Sequence, residues 1–227
     1  MESKLDEIYQ LLCSKACTKQ LVYRNTLSIF QKFKQELHKL EEQLSSKIAA
    51  VDTHVEVKFY DKGPFEAQLK FSGDTLVFMM HTNVFDFPDD HHMLKSPYIA
   101  EDPLREYCGL IQVYNFLSDS LKYNRNGDLG ILIGRIFLNK DNHFFIEGKR
   151  PLSFLYNDVA ANTMNDENIR QIIEQSMLFC LNFDLVAPPV DAVGFITVDQ
   201  KNMEIYSSGL PTSKSLGFQM NRETDSV

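Results

Sequence analysis

The chain has 227 residues, of which 44% are hydrophobic and 24% are charged, a composition that suits one globular domain and excludes a disordered chain. No run of about 18 apolar residues occurs, which excludes a membrane-spanning helix on length. The formal charge of −8 comes from residues 51–227, which carry a net charge of −10 and are not expected to bind nucleic acid, while residues 1–50 carry +2.

The N-terminus and the cysteines both indicate a cytoplasmic protein. The first residues, Met-Glu-Ser-Lys-Leu-Asp, lack the basic and then apolar pattern of a secretory signal. The four cysteines show no Cys-x-x-Cys spacing, and Cys13 and Cys17 lie one helical turn apart, where a disulfide bond is geometrically awkward. We therefore expect reduced thiols in the cytoplasm.

Residues 1–50 are predicted to form one long helix, because residues 2–50 contain neither proline nor glycine. The second half carries apolar residues at alternating spacings of three and four, which is about two heptads of a coiled-coil seam. The seam consists of Phe30, Phe33, Leu37, Leu40 and Leu44. We predict that it binds a partner protein or a second copy of the chain. The alternatives are that it packs on the sheet of its own chain or that the helix lies on a membrane surface, for which its apolar face is narrow and its basic face sparse.

Residues 51–206 are predicted to form a single α+β domain, in which a mostly antiparallel, twisted sheet of about seven strands has helices on one face. The first three strands are indicated by apolar residues that alternate with polar ones between turn residues. These apolar positions are Val55, Val57, Phe59, Phe65, Ala67, Leu69, Phe71, Leu76, Phe78 and Met80. Residues 129–138 are apolar on both faces, which is typical of a central strand, and residues 143–147 follow in a hairpin.

The later part of the domain is less regular. Residues 104–125 fit either a helix or a strand. A second helix is predicted to start after Asn165, because Asp166 and Glu167 suit the positive end of a helix dipole. A last hairpin is predicted from residues 192–198 and 203–206, and residues 207–227 are predicted to form a polar C-terminal tail. Arg135 is predicted to be buried beside a carboxylate or backbone carbonyls, because it lies in an otherwise apolar strand.

One stretch of the sequence concentrates groups that could bind a metal ion. A strand that ends near residue 81 is followed by a polar loop that carries acidic and histidine side chains. The candidate ligands are His81, Asp86, Asp89, Asp90, His91 and His92. Zn²⁺ or Mn²⁺ accepts such a mixture of imidazole and carboxylate groups, although no His-x-His or His-x-x-x-His spacing fixes a geometry.

These observations favour a non-catalytic interaction or assembly subunit that associates through its N-terminal helix as a homo-oligomer or with a protein partner, without a cofactor. Two alternatives stay open. One is a metal-dependent hydrolase that uses Zn²⁺ or Mn²⁺ bound by the loop at residues 81–92. The other is a sensory module with a small-ligand pocket between the sheet and the long loop. The sequence contains neither a Walker A motif nor a Gly-x-Ser-x-Gly nucleophile elbow.

Overall fold

The computed structural model describes residues 3–184, 187, 190–195, 197 and 198. The chain begins with a long helix. Helix α1 spans Lys4–Leu11 and begins with a capping box between Ser3 and Asp6. A π-helical turn at Leu12–Ala16 joins it to the 33-residue helix α2, Cys17–Ala49. A π turn inserts one residue relative to α-helical spacing, so the faces of α1 and α2 are out of phase.

Six strands follow and form one antiparallel sheet in the order β1-β2-β3-β4-β5-β6. Their bounds are Val57–Asp61, Glu66–Phe71, Asp74–Met80, Gly109–Leu117, Ile131–Leu138 and Phe144–Gly148. Each strand pairs with its neighbour in sequence, so the sheet is a meander. The predicted α+β class and antiparallel sheet are confirmed. Residues 104–125, which fitted either a helix or a strand, contain β4 and then the short helix α4, Ser118–Lys122.

Within the residues that the structure describes, the sheet has six strands rather than about seven. The predicted strand at residues 192–198 overlaps the short helix α7, Val190–Val193, and its predicted partner at 203–206 lies outside the described residues, as does the predicted tail at 207–227. A short apolar run does not by its pattern distinguish a helix from a strand, so the prediction of a strand here was wrong where α7 forms.

The helices and turns divide between the two faces of the sheet. Helix α2 and helix α6, Asp166–Leu181, pack on one face and enclose the larger core cluster. A covering segment, residues 84–106, packs a second cluster against β4, β5 and β6 on the opposite face, and Met93 and Ile99 are its buried members. This segment contains α3, Pro97–Glu101, and two 3₁₀ turns, His92–Lys95 and Pro103–Glu106. Helix α5, Leu152–Leu155, connects β6 to α6.

Three features of the architecture bear on function. Among the described residues, no helix combines the length and the apolar character that crossing a membrane requires. Strand β5 is apolar on both sides because its residues reach both clusters, with Ile136 in the larger one and Phe137 in the second. The two parts of the N-terminal helix differ in their packing. Helix α2 contributes side chains to the larger core cluster, whereas α1 contributes none.

Candidate functional site

The predicted partner-binding seam of the N-terminal helix is covered by the sheet of the same chain. Four of its residues are almost completely buried in the larger core cluster, and the fifth packs partly buried against it. They are Phe30, Phe33, Leu37 and Leu40, with Leu44 as the fifth. The Phe33 ring lies 5.8 Å from that of Phe78 on β3. The seam therefore belongs to the core of its own chain, as the first alternative interpretation held. A two-heptad apolar pattern can pack on a sheet as well as on a second helix, so the sequence did not separate the two interpretations.

The exposed apolar surface of the N-terminal helix lies further towards its start. Every residue from Ser3 to Lys15 is exposed. Leu5, Ile8, Tyr9 and Leu12 are 73%, 53%, 62% and 56% exposed, and their spacing places them along one side of the helix. We call these four residues the N-terminal stripe. The same spacing is visible in the sequence, but the prediction of a partner-binding surface used only the longer seam at residues 30–44.

Two lysines fix the point at which the helix leaves the body. Lys15 and Lys19 lie over the ring of Tyr107, with their ammonium nitrogens 5.2 and 4.7 Å from its centroid. Tyr107 is itself 5% exposed and precedes β4, so the anchor reaches the sheet. The hydrogen bond with Tyr107 raises the pKa of Lys15 above its ordinary value. The helix is therefore held from this anchor onward, and the N-terminal stripe projects beyond it.

The predicted metal ligands do not converge as a set. His81 lies edge-on to Phe85 with the ring centroids 4.7 Å apart, and its Nδ1 accepts the backbone N–H of Asn83. Asp86 accepts the N–H of Phe87, and Asp89 and Asp90 are exposed in a turn. His91 and His92 do come together, with ring centroids 4.4 Å apart.

A residue that the sequence did not suggest completes this cluster. Glu147 of β6 offers a carboxylate oxygen, and one ligand atom from each of His91, His92 and Glu147 lies within 4.8 Å of the other two. The pairing of β6 with β5 brings Glu147 opposite Arg135, and the covering segment lays His91 over both strands. Two imidazoles and a carboxylate are a ligand set that Zn²⁺ accepts.

The cluster is already closed by hydrogen bonds within the protein. His91 Nε2 lies 2.9 Å from one Glu147 oxygen, and Arg135 pairs with the other. The backbone N–H of Met93 donates to His91 Nδ1 over 3.3 Å, which leaves Nε2 as the ring nitrogen that donates to Glu147. A metal ion would have to displace these partners. We call this arrangement the His91–Glu147–Arg135 tether, because it fastens the covering segment to the sheet.

Arg135 is partly as the sequence predicted. The expected carboxylate partner is confirmed as Glu147. The expected burial is wrong, since the side chain is 45% exposed. The reason is that Arg135 points to the face of the sheet that the covering segment closes only in part, and its guanidinium lies 5.3 Å from the centroid of the Phe137 ring.

The tether predicts a pH-dependent contribution to stability. Partial burial raises the pKa of Glu147, but the hydrogen bond from His91 and the charge of Arg135 outweigh it, so the pKa lies below its ordinary value. The ionised carboxylate therefore contributes stability above the ordinary pKa, and this contribution is lost as the pH falls through the lower, folded-state pKa. Glu147→Gln should lower the free energy of unfolding by about 1–2 kcal/mol at neutral pH.

Urea unfolding of both proteins, at neutral pH and at about pH 3, measures this effect. The difference between parent and variant should shrink at the acid pH. Glu101→Gln is the control, because Glu101 is 72% exposed in its pair with Arg105 and should change little at either pH. A difference for Glu147→Gln that is the same at both pH values would contradict the tether.

Aromatic rings fill part of the space between the sheet and the covering segment. Phe87 lies 5.0 Å from Phe137 and 5.7 Å from Phe145, and Phe137 stacks on Phe145 at 5.0 Å, as measured between ring centroids. These rings fill only the part of this space around Phe87, and the ligand pocket predicted between the sheet and the long loop stays a prediction. A cavity of about 470 Å³ lies at the edge of the packed rings, where His92 and Asp158 are among its lining residues.

Comparison with protein-family models, curated proteins and solved structures finds no match for this chain. The functional assignment therefore depends on two features of the chain itself. One is the tether, whose polar atoms have partners within the protein. The other is the N-terminal stripe, whose apolar side chains are exposed.

Proposed function

We propose that this chain is a non-catalytic assembly subunit that associates with a second copy of itself through the N-terminal stripe. The observation that carries this proposal is that Leu5, Ile8, Tyr9 and Leu12 are more than half exposed at the start of a helix whose later seam, residues 30–40, is buried against the sheet. Exposed apolar side chains on one side of a regular helix favour docking against another helix. The exposed free thiols of Cys13 and Cys17 support a reducing, cytoplasmic location.

A second copy fits the stripe because the stripe is self-complementary. In an antiparallel pair of helices centred between Ile8 and Tyr9, Leu5 lies opposite Leu12 and Ile8 lies opposite Tyr9. Both copies then use the same surface, as a two-fold symmetric interface requires. The charged residues of α1, which are Lys4, Asp6 and Glu7, lie off the stripe by helical spacing, so they stay in water when the stripes meet.

The size of the stripe sets the strength of association. Fully burying one large apolar side chain gains about 1.5–3 kcal/mol, and the four stripe residues, being already partly buried, gain less than this. Association costs about 4–15 kcal/mol in lost translational and rotational freedom. The gain from four such residues in each copy is of the same order as this cost, which gives a pair that forms and dissociates with concentration. We expect reversible dimers rather than a permanent complex.

Replacing Ile8 with glutamate tests this proposal. Because each copy contributes one Ile8, the change removes two buried side chains and places two like charges at the centre of the pair. The dissociation constant should rise about 100-fold or more, measured by sedimentation of the full chain over a concentration series. The free energy of unfolding of the monomer should stay unchanged, since Ile8 makes no contact with the core.

Gln10→Glu is the matched control. It adds the same charge to the same turn, but Gln10 lies on the opposite side of α1 from the stripe. Self-association that survives Ile8→Glu as well as it survives Gln10→Glu would rule out the stripe as the interface.

A metal-dependent hydrolase is the second candidate, and the cluster of His91, His92 and Glu147 is the observation that favours it. It requires Zn²⁺ or Mn²⁺ to replace Arg135 and the His91 hydrogen bonds around Glu147. Titration with Zn²⁺ followed by native mass spectrometry should then show one ion per chain, and the ion should be lost in His92→Ala. Binding in the parent that persists in the variant would exclude this cluster as the site.

A further inference from the structure

An apolar groove opens where the last turn of α2, the start of β1 and the end of α6 meet. Its lining includes Leu44, Ile48, Val57, Phe71, Met177 and Leu181, and its volume is about 320 Å³. Lys47 and Ser72 stand among these apolar residues. Phe71, at the end of β2, contributes an aromatic ring to this lining.

The groove lies at an open edge of the sheet. Strand β1 pairs on one side with β2, and no strand pairs with its other side in the part of the chain that the structure describes. An open edge beside an apolar groove is a surface that natural proteins usually cover.

The chain itself leads into this groove. Helix α6 ends at Leu181, which is one of the lining residues, and the chain then continues to Val227. Shortly after α6 come Val190, Phe195 and Val198, which are 80%, 98% and 73% exposed. Phe195 follows Leu181 by about 14 residues, four of which form α7, and the other ten or so can span up to about 33 Å when extended, so Phe195 can reach the groove.

We propose that the segment that follows α6 turns back and inserts Phe195 into this groove on the same chain. The groove and Phe195 each present apolar surface to water, and inserting Phe195 removes both surfaces from water together. The segment and the groove carry opposite charges. Residues 185–200 contain two acidic residues and no basic one, whereas Lys47 lines the groove. The groove of the same chain is favoured over that of a second copy, because the short stretch of chain between α6 and Phe195 gives an effective concentration in the millimolar range.

Photo-crosslinking from position 195 tests the proposal on the full chain. The photoreactive residue p-benzoylphenylalanine replaces Phe195 and keeps its aromatic ring, and the crosslinked peptides are identified by mass spectrometry. A mixture of ¹⁴N- and ¹⁵N-labelled protein separates crosslinks within a chain from those between chains. We expect crosslinks within one chain to Ile48, Val57 or Met177. Crosslinks to these residues only between chains, crosslinks elsewhere, or no crosslink would each overturn the proposal.

A pair of serine substitutions provides a second measurement. Phe195→Ser should uncover the groove, increase the binding of a hydrophobic fluorescent dye and accelerate proteolysis within residues 185–227 several-fold. Phe154→Ser is the matched control, because Phe154 is 67% exposed on α5 and does not line the groove. Equal dye binding and equal proteolysis for the two variants would overturn the proposal. Neither substitution alters the N-terminal stripe, so the outcome is independent of self-association.

Discussion

Phe33→Ala should lower the free energy of unfolding by about 3–5 kcal/mol and leave self-association of the folded chain unchanged. Phe33 is completely buried between α2 and the sheet, and its ring contacts that of Phe78, so the substitution removes a large apolar side chain and leaves a cavity. Urea unfolding gives the stability, and sedimentation under native conditions gives the association.

Tyr9→Ala is the reciprocal control for this prediction. Tyr9 is 62% exposed in the N-terminal stripe, so its loss should weaken association and leave stability nearly unchanged. The two substitutions together separate the buried seam from the exposed stripe on one continuous helix. A folded Phe33→Ala protein with normal stability and impaired association would show that the seam is an interface after all.

Gly109→Ala should lower the free energy of unfolding by about 1–3 kcal/mol, because α2 crosses β4 too closely at this point for a side chain. A Cβ atom on Gly109 would lie 2.0 Å from Thr26 Oγ1 and 2.8 Å from Thr26 Cβ. Thr26 cannot turn away freely, because it is fully buried and its hydroxyl donates to the carbonyl of Val22. The helix or the strand must shift to admit the methyl group.

Two further variants isolate the cause of this loss. Gly73→Ala is the control, since a Cβ atom there would meet nothing within 4 Å. In the Thr26→Ala background, the contacts of Gly109→Ala with Oγ1 and Cγ2 disappear and only the one with Cβ remains. The double variant should therefore lose less stability than the sum of the two single variants. Strict additivity in urea unfolding would show that Thr26 is not what excludes the side chain.

The sequence predicts the sheet well where one face is buried and the other faces water. Positions such as Ala67, Leu69 and Phe71 alternate with polar residues, and this period is specific to a half-buried strand. It predicts less at residues 192–198, where a short apolar stretch fits helix and strand alike. The seam at residues 30–44 shows the same ambiguity, because its pattern gives the buried face of the helix but not what covers that face.

The candidate site depends on contacts between distant residues. Glu147 lies 56 positions after His91, and only the pairing of β6 with β5 and the path of the covering segment bring them together. No local pattern encodes such a contact. The N-terminal stripe, in contrast, is local and readable from helical spacing, but its exposure depends on where the body of the protein ends.

Sedimentation velocity of the full, untagged chain over a rising concentration series is the most direct test of self-association through the N-terminal stripe. The proposal predicts that a 26.2 kDa monomer at low concentration converts reversibly to a dimer as the concentration rises. A single 26.2 kDa species at every concentration would contradict self-association through the N-terminal stripe.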